Sequence, residues 1–146
     1  MIDLIVFSVD SNRYALNIDN VQRIIQAVEL TSIPNASELI DGMMPYEDSV
    51  IKVLNFRKII GLPPHEDEAK DIKESSLKYI FYENSNENFA IKVDLIDDIA
   101  HVEEADIMNS DDEGNLSEFL ELSGILDIDG VLINIIKTIK LPQKDM

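Results

Sequence analysis

The residues best suited to chemistry form an acidic stretch in the last third of the chain. Asp111 and Glu113 fall at the third and fifth positions of a calcium-binding loop, and Gly114 falls at the sixth. Such a loop needs a bidentate carboxylate at its twelfth position. That position holds Leu120, and Glu121 comes one place too late. We therefore expect a solvated connection here rather than a calcium site.

The other candidates for catalysis or metal binding are weaker. The two histidines lie far apart, His65 in a polar segment and His101 at the end of a predicted strand. Asp97 and Asp98 are neighbours on that strand, so their side chains point to opposite faces and cannot share a proton. The chain contains no cysteine and no glycine-rich phosphate loop. We predict that the protein is not an enzyme and binds no metal or cofactor.

The composition argues against several classes of partner. The 146 residues include 29 Asp and Glu but only 12 Lys and Arg, a formal charge of −17. This charge repels nucleic-acid phosphates and anionic lipid surfaces. No apolar run approaches the roughly 20 residues of a membrane-spanning helix, and the N-terminus lacks the basic region of a signal peptide. We expect a cytoplasmic protein, which the lack of cysteine suits, with no nucleic-acid or direct membrane binding.

Two stretches of the chain are nearly the same. YALNIDNVQRI at 14–24 is echoed 75 residues later by FAIKVDLIDDI at 89–99. A second echo, which shares an Asn and a Lys, links 53–60 with 132–139 at an offset of 79. Because the echoes keep their order and nearly their offset, they predict two copies of one β-rich unit. Two copies are too few for a solenoid, so paired small sheets around one core fit better.

Alternating apolar residues predict about ten short strands with little helix. The segment 21–30 also fits a helical stripe, but its Val and Ile content favours a strand. Short helices are expected in ASELI at 36–40 and in NLSEFLEL at 115–122. RKIIGLP at 57–63 is expected to be a strand exit or a brief helix.

This pattern predicts an all-β fold of two small barrels. One domain over 1–146 is the economical interpretation, since a chain of this length buries about two thirds of its unfolded surface. The first barrel is expected mainly over 14–62 and the second mainly over 77–133, with the terminal strands open to exchange. The polar stretch at 63–76, PPHEDEAKDIKESS, is expected to be a linker.

The order of these segments resembles the CheW-like adaptor domain of bacterial chemotaxis. The family's V-x-E-I, I-P-x-x-P/A-x-x-I-x-G and P-V-I-D-L-R motifs have counterparts in VQRI at 21–24, IPNASELIDG at 33–42 and KVLNFR at 52–57. In the second half, 90–96 is similar to the family's G-x-x-V-D-x-V motif, and 124–133 is similar to its closing hairpin. No single motif is very specific, but together they keep their order along most of the chain.

The resemblance implies two SH3-like β-barrels around a common hydrophobic core, and no catalysis. Domains of this family are adaptors that couple chemoreceptors to the histidine kinase CheA. They bind the cytoplasmic tip of a methyl-accepting chemoreceptor in a groove between the barrels, and the kinase's regulatory domain through a barrel end. The implied partners are therefore such a receptor tip and a CheA-like kinase. The implied function is chemotaxis signal transduction.

The resemblance places the receptor-facing surface at Val21, Gln22, Arg23, Glu47 and Asp48. The family usually has Glu where this chain has Arg23, and Arg where it has Glu47, so both charges are inverted together. We hypothesise that Arg23 and Glu47 form a swapped ion pair. The alternative is two independent solvated charges.

The family's N-L-R-G turn is also replaced as a whole. Its place is taken by PYED at 45–48, beside Met43 and Met44, which could pack in the core or furnish an adaptable partner surface. A divergent scaffold of another chemosensory or motility pathway therefore remains an alternative, as does an ion- or ligand-sensing β-barrel protein. Periodicity does not indicate which edge faces the kinase.

Overall fold

The computed structural model describes residues 2–34, 37–62, 77–84, 87–109 and 119–141. Within these ranges the chain forms eleven strands, one short α-helix and two 3-10 turns, at Ile18–Asn20 and Glu104–Asp106. The elements are β1 Ile2–Val9, β2 Asn12–Asn17, β3 Val21–Gln26, β4 Ile40–Tyr46, β5 Ser49–Asn55, α1 Phe56–Ile59, β6 Lys78–Glu83, β7 Asn88–Val93, β8 Leu95–Val102, β9 Met108–Asn109, β10 Leu120–Ile128 and β11 Val131–Ile139. The predicted linker and the carboxylates of the calcium-loop pattern lie outside the described residues.

The strands form two sheets. One has six strands in the order β8-β1-β2-β11-β10-β9, and the other has five in the order β3-β6-β7-β5-β4. Neighbours within the sheets are antiparallel except for β2 with β11 and β5 with β7, which run parallel. The predicted all-β fold is confirmed.

The two sheets follow one plan, and the first sequence echo marks it. Strands β1, β2 and β3 correspond to β6, β7 and β8 at an offset of 75 residues. The pair Val6–Ala15 between β1 and β2 corresponds to Phe81–Ala90 between β6 and β7. In the same way, the pair Val6–Asp98 between β1 and β8 corresponds to Phe81–Arg23 between β6 and β3. The two outer strands even carry a bulge at the same place, at Gln22 in β3 and at Asp97 in β8. A bulge twists and bends its strand, so both outer strands are expected to bend at the equivalent position.

The second sequence echo is three residues out of register with the structure. The hairpin β4–β5 corresponds to β10–β11 at an offset of 82, because Gly42 pairs with Val53 as Gly124 pairs with Ile135. The echo at 79 instead aligns Val53 with Leu132. Similar residues recur in different parts of the two strands, since the chain turns into α1 after β5 whereas β11 continues to Ile139.

The two repeats exchange strands. The strand β1 pairs with β8 and β2 pairs with β11, both of the second repeat, while β6 pairs with β3 and β7 pairs with β5, both of the first. The chain crosses between sheets after β2 and again after β7. The predicted barrel boundaries, 14–62 and 77–133, stay a prediction. The two sheets do not follow these boundaries, because β6 and β7 of the second half pair with strands of the first half.

Both sheets contribute to one central core. Phe7 and Tyr14 of the larger sheet meet Phe56 of α1, with ring centroids 5.2 and 4.9 Å from the Phe56 ring. Burial raises the pKa of the Tyr14 phenol, because little water is available to stabilise the charged phenolate. Each sheet also encloses a smaller apolar cluster of its own. The shared hydrophobic core is therefore present as predicted.

Two helix predictions are wrong for the residues that the structure describes. Residues 37–39 form a turn and Ile40 begins β4, while Leu120, Glu121 and Leu122 belong to β10. The helical propensity of Leu and Glu is weak, and pairing with a neighbouring strand overrides it. The brief helix after β5 is confirmed as α1, where the Asn55 side chain accepts a hydrogen bond from the Lys58 amide at 3.2 Å.

Candidate functional site

A cavity of about 650 Å³ opens between the outer strand β3 and the hairpin β4–β5. We call it the first groove and define it by Gln22, Tyr46, Glu47 and Val50, which are among its lining residues. Val50 is 58% exposed although it is apolar. Glu47 sits in the two-residue turn of the hairpin with a φ of 55°, in the left-handed region.

Arg23 lies beside the first groove, over the ring of its lining residue Tyr46. Its guanidinium carbon is 5.5 Å from the centre of the Tyr46 ring, a cation–π distance. The Tyr46 ring is held in turn by an edge-on contact with Phe81 at 4.6 Å. The hypothesised ion pair between Arg23 and Glu47 does not form, since no salt bridge joins these two described residues and Arg23 contacts the preceding aromatic ring instead.

The other predicted site residues lie nearby but differ in access. The bulge residue Gln22 donates a hydrogen bond from Nε2 to Oε1 of Glu83 at 2.7 Å, which fixes its side chain at the rim. Asp48 is exposed in the hairpin turn. Val21 is partly buried and packs against the central core. The structure therefore brings Gln22, Arg23, Glu47 and Asp48 to one end of the smaller sheet, and their contact with a partner stays a prediction.

An equivalent cavity of about 470 Å³ lies at the end of the larger sheet, between β8 and the β10–β11 turn. We call it the second groove and define it by Ile99, Ile128, Asp129 and Val131. Asp129 occupies the turn position that Glu47 occupies in the other hairpin, with a φ of 53°. Our sequence reasoning missed this groove. The offset of 75 residues could have found it, because it carries Arg23 and its neighbours onto β8.

An ion cluster with a buried arginine lies where the chain crosses between the sheets. Nη1 of Arg57 lies 2.6 Å from Oδ1 of Asp10 and 3.5 Å from Oδ2 of Asp94. The amide of Asp10 also donates to Oδ2 of Asp94 at 2.8 Å. The Arg57 side chain is only 10% exposed. The cluster therefore ties α1 to the β1–β2 turn and to the β7–β8 crossover.

The histidine and the two neighbouring aspartates of β8 have partners within the chain. His101 bonds to Asp3 through Nδ1 at 2.7 Å on the surface. Asp97 lies 3.6 Å from the Arg13 guanidinium, while Asp98 accepts a hydrogen bond from the Ile99 amide at 2.7 Å. No group of three or more acidic or histidine side chains suited to a metal occurs among the described residues. Within the same residues, no helix has the length and apolar character to cross a bilayer.

Comparison with known proteins agrees with this architecture. Residues 3–145 match the family model of the CheW-like domain. A stretch of 70 residues is 26% identical to the chemotaxis protein CheW of Thermotoga maritima and covers 48% of this chain and 46% of that protein. The chain thus spans about half the length of this curated relative.

A solved structure has the same fold. The scaffolding protein TtCheW of Thermoanaerobacter tengcongensis matches with a TM-score of 0.81 at 24% identity, over 93% of this chain and 88% of that chain. This likeness bears on the fold alone. It confirms the predicted architecture of two small SH3-like barrels that share a core.

Proposed function

The chain belongs to the CheW-like domain family, and from this premise we propose that it is a non-enzymatic adaptor between chemoreceptors and a CheA-like histidine kinase. The observation that carries the proposal is the family match over residues 3–145, nearly the whole chain. The adaptor acts in the cytoplasm, where it binds the tip of a methyl-accepting chemoreceptor, and it uses no cofactor.

The presence of two similar grooves supports a scaffolding mechanism. They lie at the ends of different sheets, so one chain can hold two partners at once. Holding both raises the effective concentration of each partner for the other. Binding that favours one conformation of a partner also shifts that partner's equilibrium. No bond is made or broken in this mechanism.

We propose that the first groove faces the receptor. Tyr46 and the exposed Val50 offer apolar area, while Arg23 and Glu47 place a positive and a negative charge on its rim. Buried aromatic and apolar contacts supply most of the affinity in such interfaces, and rim charges select the partner. Gln22 and Asp48 complete the rim. Val21 packs against the central core and so anchors this end of β3.

A pull-down from the native host tests the proposal. The purified chain is expected to recover a CheA-like kinase together with chemoreceptors. Arg23→Glu is expected to lower receptor recovery about tenfold and to leave kinase recovery unchanged, since it reverses the charge at the first groove only. Lys52→Glu is the matched control, because Lys52 is exposed on the same sheet but, unlike Arg23, does not lie over the ring of the groove residue Tyr46. Recovery of neither partner by the unmodified chain contradicts the proposal.

The inverted charges favour a second candidate, a CheW-like scaffold of another chemosensory or motility pathway. Arg23 is engaged with Tyr46, and Glu47 stands where the family usually has a positive charge. A surface with altered charges selects altered partners. In this case the same pull-down recovers a kinase with components of a different pathway in place of methyl-accepting receptors.

A further inference from the structure

The second groove is an apolar cleft with an acidic rim. Ile99, Ile128 and Val131 line it and are 47%, 36% and 38% exposed. Asp98 lies on one side, on β8, and Asp129 lies on the other, in the β10–β11 turn. Exposed aliphatic side chains gathered in a cleft commonly mark a contact surface.

The basic side chains that line this groove already have acidic partners. Arg13 lies 3.6 Å from Asp97, and His101 lies 2.7 Å from Asp3. Asp98 and Asp129, in contrast, form no salt bridge with any described residue. The rim therefore presents unmatched negative charge beside apolar surface, within a chain whose net charge is −17.

The open edge of β8 is partly closed to strand addition. The Asp98 carboxylate accepts a hydrogen bond from the Ile99 amide at 2.7 Å, so one of the donors along this strand is occupied. Side chains of this kind protect edge strands from pairing with other chains. Strand addition is therefore disfavoured at Ile99, and side-chain contacts are the favoured way to bind this groove.

The two grooves occupy equivalent places in the repeats but carry different charges. Arg23 of β3, beside the first groove, corresponds to Asp98 of β8, which lines the second. Arg23 pairs with Phe81 in one sheet, and Asp98 pairs with the equivalent residue, Val6, in the other. The first groove thus has both signs beside it, whereas the charges of the second groove that form no salt bridge among the described residues, Asp98 and Asp129, are both negative. Similar shapes with different charges select different partners.

We propose that the second groove binds a protein partner that presents branched aliphatic side chains flanked by lysine or arginine. The aliphatic groups contact the exposed Ile99, Ile128 and Val131, and the cations approach Asp98 and Asp129. The inference rests on the two-partner scaffold proposed above and specifies the chemistry of one partner.

A titration of the isotope-labelled full chain with a designed peptide tests the inference. The probe is a disulfide-closed β-hairpin that presents isoleucine and lysine on one face, since a preorganised hairpin loses little entropy on binding. Amide resonances of Ile99, Asp129 and Val131 are expected to shift, while those at the first groove stay in place. One control hairpin replaces lysine by glutamate, and a second replaces isoleucine by serine; each is expected to bind at least about tenfold more weakly.

Two variants complete the test. Ile99→Ser and Asp129→Asn are each expected to weaken binding of the isoleucine–lysine hairpin, by about tenfold and about threefold. Val50→Ser is the matched control, because it removes an exposed aliphatic group at the first groove. Equal binding of the serine hairpin, or shifts centred on the first groove, overturns the inference. Failure here, with receptor and kinase still recovered in the pull-down, leaves the proposed function intact.

Discussion

Arg57 joins three parts of the chain that are distant in sequence. It extends from α1 and contacts Asp10 in the β1–β2 turn and Asp94 at the β7–β8 crossover. Asp10 has a φ of 57°, a conformation that Asp and Asn tolerate better than most residues. The cluster therefore combines a buried cation, two carboxylates and a constrained turn at one point between the sheets.

Replacing Arg57 is expected to be costly. Arg57→Leu leaves the Asp94 carboxylate, which is 10% exposed, without its buried cation, so the free energy of unfolding should fall by about 3–5 kcal/mol. Asp10→Asn should cost about 1 kcal/mol, because Asp10 is 37% exposed and Asn accepts the same backbone conformation. Urea unfolding followed by circular dichroism measures both. Equal losses in the two variants argue against a dominant role for the buried cation.

The contacts of single site residues were only partly predictable. The resemblance pointed to five positions, and the structure brings Gln22, Arg23, Glu47 and Asp48 of them to one groove rim. The side chain that Arg23 contacts could not be inferred from the sequence. Glu47 has left-handed backbone in the hairpin turn, and Arg23 of β3 lies over the ring of the preceding residue, Tyr46, instead of pairing with Glu47. A one-residue step along a strand changes the face that a side chain occupies, and charge alone does not reveal that step.

At the scale of elements, a glycine lets each barrel close. A Cβ on Gly124 lies 2.6 Å from the carbonyl oxygen of Met108 in β9, and a Cβ on Gly42 lies 2.7 Å from the carbonyl oxygen of Thr31. Thr31 bridges to Met43 just as Met108 pairs with Ile125. The same close backbone approach therefore occurs once in each repeat.

Alanine at either glycine is expected to destabilise the fold. Gly124→Ala and Gly42→Ala should each lower the free energy of unfolding by about 1–3 kcal/mol, because the added methyl group pushes a backbone carbonyl rather than a flexible side chain. Ser123→Ala, at the exposed neighbour on β10, should change it by less than about 0.5 kcal/mol. Thermal and chemical unfolding measure the difference. A Gly124→Ala variant as stable as Ser123→Ala indicates that β9 moves aside without cost.

The sequence predicted the kinds of element better than their register. Alternation located most strands, and the echo at an offset of 75 matches the observed pairing of both repeats. The echo at an offset of 79 does not match the observed pairing. The connection between β8 and β10 is longer than that between β3 and β4, and the second hairpin lies at an offset of 82. The ends of ASELI and NLSEFLEL are strands, since partners remote in sequence supply their hydrogen bonds. Local propensity contains no information about those partners.

The exchange of strands joins the two repeats into one structure. In the larger sheet, β1 and β2 of the first repeat lie between β8 and β11 of the second. In the smaller sheet, β6 and β7 lie between β3 and β5. The central core also draws Phe7 from the larger sheet and Phe89 from the smaller one. Neither repeat can therefore complete a sheet with its own strands.

This exchange predicts the behaviour of a chain cut between residues 62 and 77. The fragments 1–62 and 77–146 should each lack a cooperative thermal transition, because each retains its hairpins but loses the strands that flank them. Mixed together, they should recover the strand signal in circular dichroism and melt cooperatively, at a midpoint that rises with concentration. An intact chain with residues 63–76 replaced by Gly-Ser repeats is the matched control, since changing a connection costs little compared with cutting it. A cooperative transition in either fragment alone means that one repeat can form its own barrel, and the exchange is then no requirement for folding.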